Sequence, residues 1–98
     1  MQNKTYRLYP KAVEDIENIY VYSVKEFGYD RADDYIHKLE QCFKHLSSEP
    51  GIARKCDYIR QNLRAYNVGS HIIFFKETGS MIVIIRILHK SMDHERYL

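Results

Sequence analysis

The residues best able to do chemistry gather near the end of the chain. Arg86, His89, Lys90, Asp93 and Arg96 follow the apolar run Met81–Ile85, and Arg60, Arg64 and His71 precede it. A guanidinium beside an imidazole could stabilise a pentacovalent phosphate while the His moves a proton, so the set would suit anion binding or phosphodiester cleavage. A structural alternative stands beside it. Arg86, on a strand face otherwise apolar, needs an anionic partner, and Asp93 or Glu95 could supply one by folding the tail back. A catalytic reading would rest on His89, but no carboxylate is assigned to it, and a histidine in that position is more often hydrogen-bonded structure. His71 follows a hairpin turn, where capping is its simple role. There is no Gly-rich phosphate loop, nucleophile elbow, HExxH or paired-carboxylate motif, so nothing compels catalysis.

The elements that position these residues follow from periodicity. Tyr6–Tyr9 reads as a short strand ended by Pro10, whose fixed φ suits a first helical turn. Ala12, Val13, Ile16, Ile19, Tyr20, Ser23, Val24 and Phe27 then recur at helical spacing. Glu14, Asp15 and Glu17 are placed early, as a helix dipole favours, and Gly28 follows the helix end. Asp30 is expected to cap a second helix with the apolar face Ala32, Tyr35, Ile36, Leu39, Phe43 and Leu46, stopped by Glu49-Pro50-Gly51. A link of two or three residues makes the helices an antiparallel hairpin. Leu63–Val68, His71–Lys76 and Met81–His89 read as strands joined at Gly69-Ser70 and Gly79-Ser80. The expected fold is α+β, order βααβββ, with the helical hairpin packed on one face of a mainly antiparallel four-stranded sheet. Met81, Val83, Ile85 and Ile87 would share one face of the last strand, and Ile82, Ile84, Arg86 and Leu88 the other. One face packs on the helices. The other is expected to be buried by a partner, the alternative being a C-terminal tail folded back to cover it.

With 98 residues, 45% hydrophobic and 29% charged, the sequence describes one ordered domain over residues 1–98. A net charge of +2 is compatible with an acidic partner but too mild to demand nucleic acid. The apolar run is too short to span a bilayer, and Met1–Tyr6 lacks the apolar stretch of a secretory signal. Cys42 and Cys56 lack metal-ligand spacing and read as reduced thiols, which suits a cytoplasmic chain. Tyr20, Val21, Tyr22 and Val24 carry the first helix's apolar residues beyond one stripe, which reads either as ordinary surface tyrosine or as a second docking surface for a partner.

The wording Ile59-Arg60, then Gly69-Ser70-His71-Ile72-Ile73-Phe74-Phe75, then Arg86-Ile87-Leu88-His89-Lys90-Ser91-Met92-Asp93 closely resembles the ParE branch of the RelE/ParE toxins. Ala12, Asp15-Ile16, Ile19-Tyr20 and Phe27-Gly28 fit the same pattern. The resemblance implies the βααβββ fold, no cofactor, and a ParD-like antitoxin whose flexible C-terminal part folds onto the toxin. It implies a binding inhibitor that stalls DNA gyrase on cleaved DNA. RelE-like relatives instead cut mRNA on the ribosome. Arg86, His89 and Tyr97 could serve that alternative, but the ordered basic set of those enzymes is not spelled out here. A degenerate toxin that only binds antitoxin is a third reading. On the gyrase reading, the target would meet Arg86, His89, Met92, Asp93 and Arg96. The antitoxin would meet Tyr20, Val24, Ile84 and Leu88, with Arg60 and Arg64 facing its acidic residues. A homodimer or a toxin–antitoxin hetero-oligomer is compatible with this.

Overall fold

The computed structural model describes residues 5–98. They form β1 (Thr5–Leu8), α1 (Pro10–Phe27), α2 (Tyr29–Ser48), a 3-10 turn at Pro50–Ile52, β2 (Arg54–Lys55), β3 (Arg64–Val68), β4 (His71–Thr78), β5 (Met81–His89) and α3 (His94–Tyr97). The strands make one sheet of order β1-β5-β4-β3-β2. That is one strand more than expected, because Arg54 and Lys55 add a two-residue edge against Ala65 and Arg64. β1 runs parallel to β5, from Thr5 opposite Met81 to Leu8 opposite Ile84, and the other pairings are antiparallel.

Pro10 opens α1 from an extended Tyr9, and no acid lies in its first turn. Asp15 therefore does not serve the helix dipole; its role is described below. Gly28 is the whole connection between the helices. With φ of 89° it receives the end of α1 and starts α2, so Asp30 sits inside the first turn of α2 rather than capping it. Both helices turn small or apolar residues inward: Ala12 and Ile19 from α1, and Ala32, Leu39, Phe43 and Leu46 from α2.

The last strand departs from simple alternation. Phe74 pairs with Arg86 while Phe75 pairs with Ile84, leaving Ile85 as the extra residue of a β-bulge. A bulge inserts one residue and resets which face each later side chain takes. Ile82, Ile84 and Ile87 thus lie in the helix-side core, and Ile85 and Leu88 in the core on the opposite face. The grouping of Ile85 with Ile87, and of Ile84 with Leu88, is corrected by this insertion.

The second face is covered from within the chain rather than left for a partner, and the folded-back tail that stood as the alternative supplies part of the cover. Cys56, Leu63, Ala65, Ile72, Phe74, Ile85 and Leu88 form a second core, closed by Ile59 from the β2–β3 loop and by Met92 and Leu98 from the tail. A segment running 56–63 and the last seven residues do what a partner was expected to do.

Gly69 shows how closely α2 and the β3–β4 turn approach. Its φ is +54°, and a Cβ there would lie 2.7 Å from both Cε1 and the hydroxyl of Tyr35. Gly79 has a similar φ of +57° with open space around it. Gly79→Ala is expected to cost about 1 kcal/mol of backbone strain, whereas Gly69→Ala adds a ring clash and costs about 2–4 kcal/mol. Urea unfolding of the two variants side by side measures the difference; equal losses would mean that Tyr35 gives way freely.

Candidate functional site

Arg86 stands where β1 has ended and α1 crosses the sheet. Its Nε and Nη2 each donate to an oxygen of Asp15 at 2.8 Å, and the Ile87 amide donates to Asp15 Oδ2 at 2.9 Å. Nη1 donates to the Tyr97 carbonyl at 3.0 Å. The partner expected for Arg86 was Asp93 or Glu95; the structure supplies Asp15, 71 positions away in the chain. Both side chains are largely buried, at 17% and 11% exposure. The paired carboxylate raises the guanidinium's already high proton affinity against the opposing pull of burial, so the charge is fixed. The sequence held a signal for this. Asp15 lies three residues from Ala12 and four from Ile19, on the buried stripe of α1, where a carboxylate requires a cation.

His71 and His89 face each other across β4 and β5, ring centroids 5.4 Å apart in an edge-on arrangement. Tyr35 Oη shares a 2.6 Å hydrogen bond with His71 Nδ1 and also contacts the Ser70 amide and the Val68 carbonyl, each at 3.2 Å. Burial, then the nearby His89, pushes the His71 pKa down from 6.5 to about 4 against a weaker opposing pull from Asp15. His71 is therefore neutral at physiological pH. His89 Nδ1 receives the Ser91 amide at 3.1 Å and lies 2.8 Å from the Ser91 hydroxyl. Each ring thus uses Nδ1 internally and leaves Nε2 without a hydrogen-bond partner among the described residues. The two histidines border a cavity of about 450 Å³ between the helical hairpin and the β3–β4 turn. Tyr35, not singled out as a site residue from sequence, organises this corner.

The other expected site residues divide by burial. Arg60 donates to the Leu98 carbonyl and so holds the tail down. Arg64 donates to the Ala53 carbonyl at 3.0 Å and pairs with Glu77 at 3.4 Å. Met92 turns inward onto the second core. Ile84 and Leu88 are 0% and 1% exposed, so neither presents surface in this conformation. His89, Asp93 and Arg96 are exposed. Tyr20 donates to Asp33 at 2.8 Å across the hairpin, and Val24 beside it is half-buried. Around them Val21, Tyr22, Phe27 and Tyr29 are all more than half exposed, an apolar patch at the hairpin end larger than the sequence reading had named. Phe27 and Tyr29 were missed because each looks like an ordinary helix-end residue. Among the described residues, no group of three His, Cys, Asp or Glu could hold a metal ion, and no helix is long and apolar enough to cross a membrane.

The model of the family described as the ParE toxin of the type II toxin–antitoxin system, parDE, matches residues 6–94. The chain belongs to the ParE toxin family. Toxin ParE1 of Mycobacterium tuberculosis (strain CDC 1551 / Oshkosh) is 35% identical over 94 residues, spanning 95% of this chain and 96% of that protein. Toxin ParE1 of Caulobacter vibrioides is 33% identical over 95 residues, spanning 97% and 98%. A solved structure entitled "Chromosomal ParDE TA system from P. aeruginosa" superposes with a TM-score of 0.76 over 89% of this chain and 96% of that one. At 19% identity that likeness shows a shared fold.

Two expectations follow for this ParE-family chain. Asp15→Ala leaves a largely buried guanidinium unpaired and is expected to cost about 3–5 kcal/mol, while the double change Asp15→Leu with Arg86→Met costs markedly less. Chemical denaturation of Asp15→Ala and the double variant beside the wild-type chain measures both losses, and adding Asp15→Leu and Arg86→Met alone completes the cycle; a double variant as unstable as Asp15→Ala contradicts it. The second concerns acid. His71 binds a proton more weakly folded than unfolded, so its contribution is intact above pH 6.5 and is lost as pH falls through about 4. His71→Gln is expected to flatten the fall in stability over that window, read from melting temperatures between pH 7 and pH 4.

Proposed function

We propose that this chain is the toxic partner of a toxin–antitoxin pair, that it arrests DNA gyrase by binding and trapping it on cleaved DNA, and that a ParD-like antitoxin neutralises it. The observation that carries the binding reading is the engagement of Arg86. An RNA-cleaving alternative would use that guanidinium on a phosphate, yet Asp15 and the Tyr97 carbonyl occupy its donors. Exchanging them for a substrate would detach α1 and the tail together. The arginine acts as a structural cation, and the toxin works through the surfaces it holds in place.

The surface assigned to gyrase comprises His89, Asp93 and Arg96 around α3, which are exposed beside the strand end. The surface assigned to the antitoxin is the hairpin end, where Tyr20 and Val24 lie among Val21, Tyr22 and Tyr29. An amphipathic segment laid along that apolar patch would bury it as helix-in-groove recognition does. Relatives named Toxin ParE1, and a fold shared with a ParDE TA system, support a partner of the antitoxin class.

A supercoiling assay tests this directly, with purified chain, gyrase, relaxed plasmid and ATP, followed by detergent and protease. Loss of supercoiling with accumulation of linear plasmid, reversed by the antitoxin, is expected. Arg96→Ala is expected to weaken the effect at least about tenfold while the melting temperature holds, as loss of a charged contact does. Unimpeded supercoiling in the presence of a folded chain that still arrests growth would overturn the gyrase reading.

A further inference from the structure

The cavity beside His71 and His89 has no part in the structural lock; it shares His89 with the surface assigned above to gyrase, and Tyr22 and Phe27 with the exposed apolar residues of the hairpin end. Its volume of about 450 Å³ falls within the range of roughly 300–1,000 Å³ typical of small-molecule sites. Arg31, Asp34, Tyr35 and Lys38 line one wall at positions i, i+3, i+4 and i+7, so a single face of α2 supplies them. Tyr22, Ser23 and Phe27 of α1 form the opposite wall, and the floor is the Ser70–His71 turn with His89.

Three features of this lining point to one class of ligand. Arg31 and Lys38 form no ion pair among the described residues, so two cations face the cavity against the single carboxylate of Asp34. Tyr22 and Phe27 are 61% and 57% exposed, leaving aromatic surface open on which a planar group can stack. The floor is held in place, because Tyr35 is clamped to His71, Ser70 and Val68 and packs tightly on Gly69. We propose that this cavity binds a guanine mononucleotide. The base lies against Tyr22 and Phe27, the Asp34 carboxylate accepts the two adjacent N–H groups of the guanine edge, and Arg31 and Lys38 hold the phosphate. The unpartnered Nε2 atoms of His71 and His89 remain to contact the ribose or phosphate oxygens. A free phosphate would leave the rings and Asp34 unused, and an uncharged nucleoside would leave the cations unmatched. Adenine offers Asp34 only one donor on that edge.

Calorimetric titration of the full-length chain with GMP, AMP, guanosine and inorganic phosphate tests the assignment without gyrase or antitoxin. GMP is expected to saturate with a dissociation constant of about 10–100 µM, as ligand efficiencies for molecules of this size imply. AMP is expected to bind at least about fivefold more weakly, and guanosine and phosphate at least about tenfold more weakly. Lys38→Ala is expected to weaken GMP at least about tenfold with the melting temperature unchanged, and Asp34→Asn to erase the preference for GMP over AMP. Two-dimensional NMR should place the shifted imidazole signals on His71 and His89. No saturable GMP binding at millimolar concentration, or GMP binding indifferent to both Lys38→Ala and Asp34→Asn, would overturn the proposal. Because the readout is nucleotide affinity alone, its failure is distinguishable from failure of the gyrase reading.

Discussion

Asp15 sits where β5 runs out of a neighbour. The parallel ladder with β1 closes as the Tyr9 amide donates to the Ile84 carbonyl at 2.9 Å, and the chain then leaves the sheet into α1. Beyond that point the outer edge of β5 would present bare amides. The carboxylate of Asp15 accepts the Ile87 amide in place of a strand and takes the Arg86 guanidinium with its remaining lone pairs. One side chain therefore fixes the seat of α1 on the sheet, follows directly on the β-bulge, and through Arg86 reaches the Tyr97 carbonyl of the tail. The helical layer, the last strand and the C-terminal segment are positioned by a common charge pair. Buried ion pairs seldom add much net stability over an apolar replacement, so specificity of arrangement is what this one contributes.

A small domain with two-sided apolar strands has to find cover for both faces of its sheet. Here α1 and α2 cover one, while the 56–63 loop, Met92 and Leu98 cover the other. This division decides which residues are left to meet partners. Strand residues such as Ile84 and Leu88 are consumed by the cores, and the exposed apolar area shifts to the hairpin end at Val21, Tyr22, Phe27 and Tyr29. Polar surface gathers at the C-terminal end of β5, around His89, Asp93 and Arg96, and His89 borders the same cavity as Tyr22 and Phe27.

Periodicity in the sequence was enough to place both helices, the hairpin between them and the three long strands, since each is written as a continuous 3.6- or 2-residue pattern with Pro or Gly at its boundaries. The ParE resemblance was legible from three short blocks of wording. Less legible were features created by tertiary contact. A two-residue strand such as Arg54–Lys55 has no period to detect. The bulge at Ile85 sits inside an unbroken run of β-branched residues, where nothing local marks an insertion. The pairing of Arg86 with Asp15 rather than Asp93 or Glu95 reflects topology: β5 lies beside β1 and beneath α1, so the nearer carboxylates in sequence are the farther ones in space. For the same reason the site residues chosen by sequence split into buried, engaged and exposed groups that only packing distinguishes.

The parallel pairing of β1 with β5 joins residues 76 positions apart, Thr5 with Met81, as the register records. Such non-local closure carries a large loop-entropy cost before any contact rewards it, so it belongs late in folding. During synthesis the first strand and α1 emerge with neither their sheet neighbour nor Arg86 yet made, and the helix hairpin has no apolar floor. A nascent ParE-family chain of this topology can therefore form its hairpin but cannot assemble the finished domain until β5 has left the ribosome. An interrupted chain lacking β5 loses at once the sheet neighbour of β1, the sheet neighbour of β4 and the guanidinium that Asp15 binds.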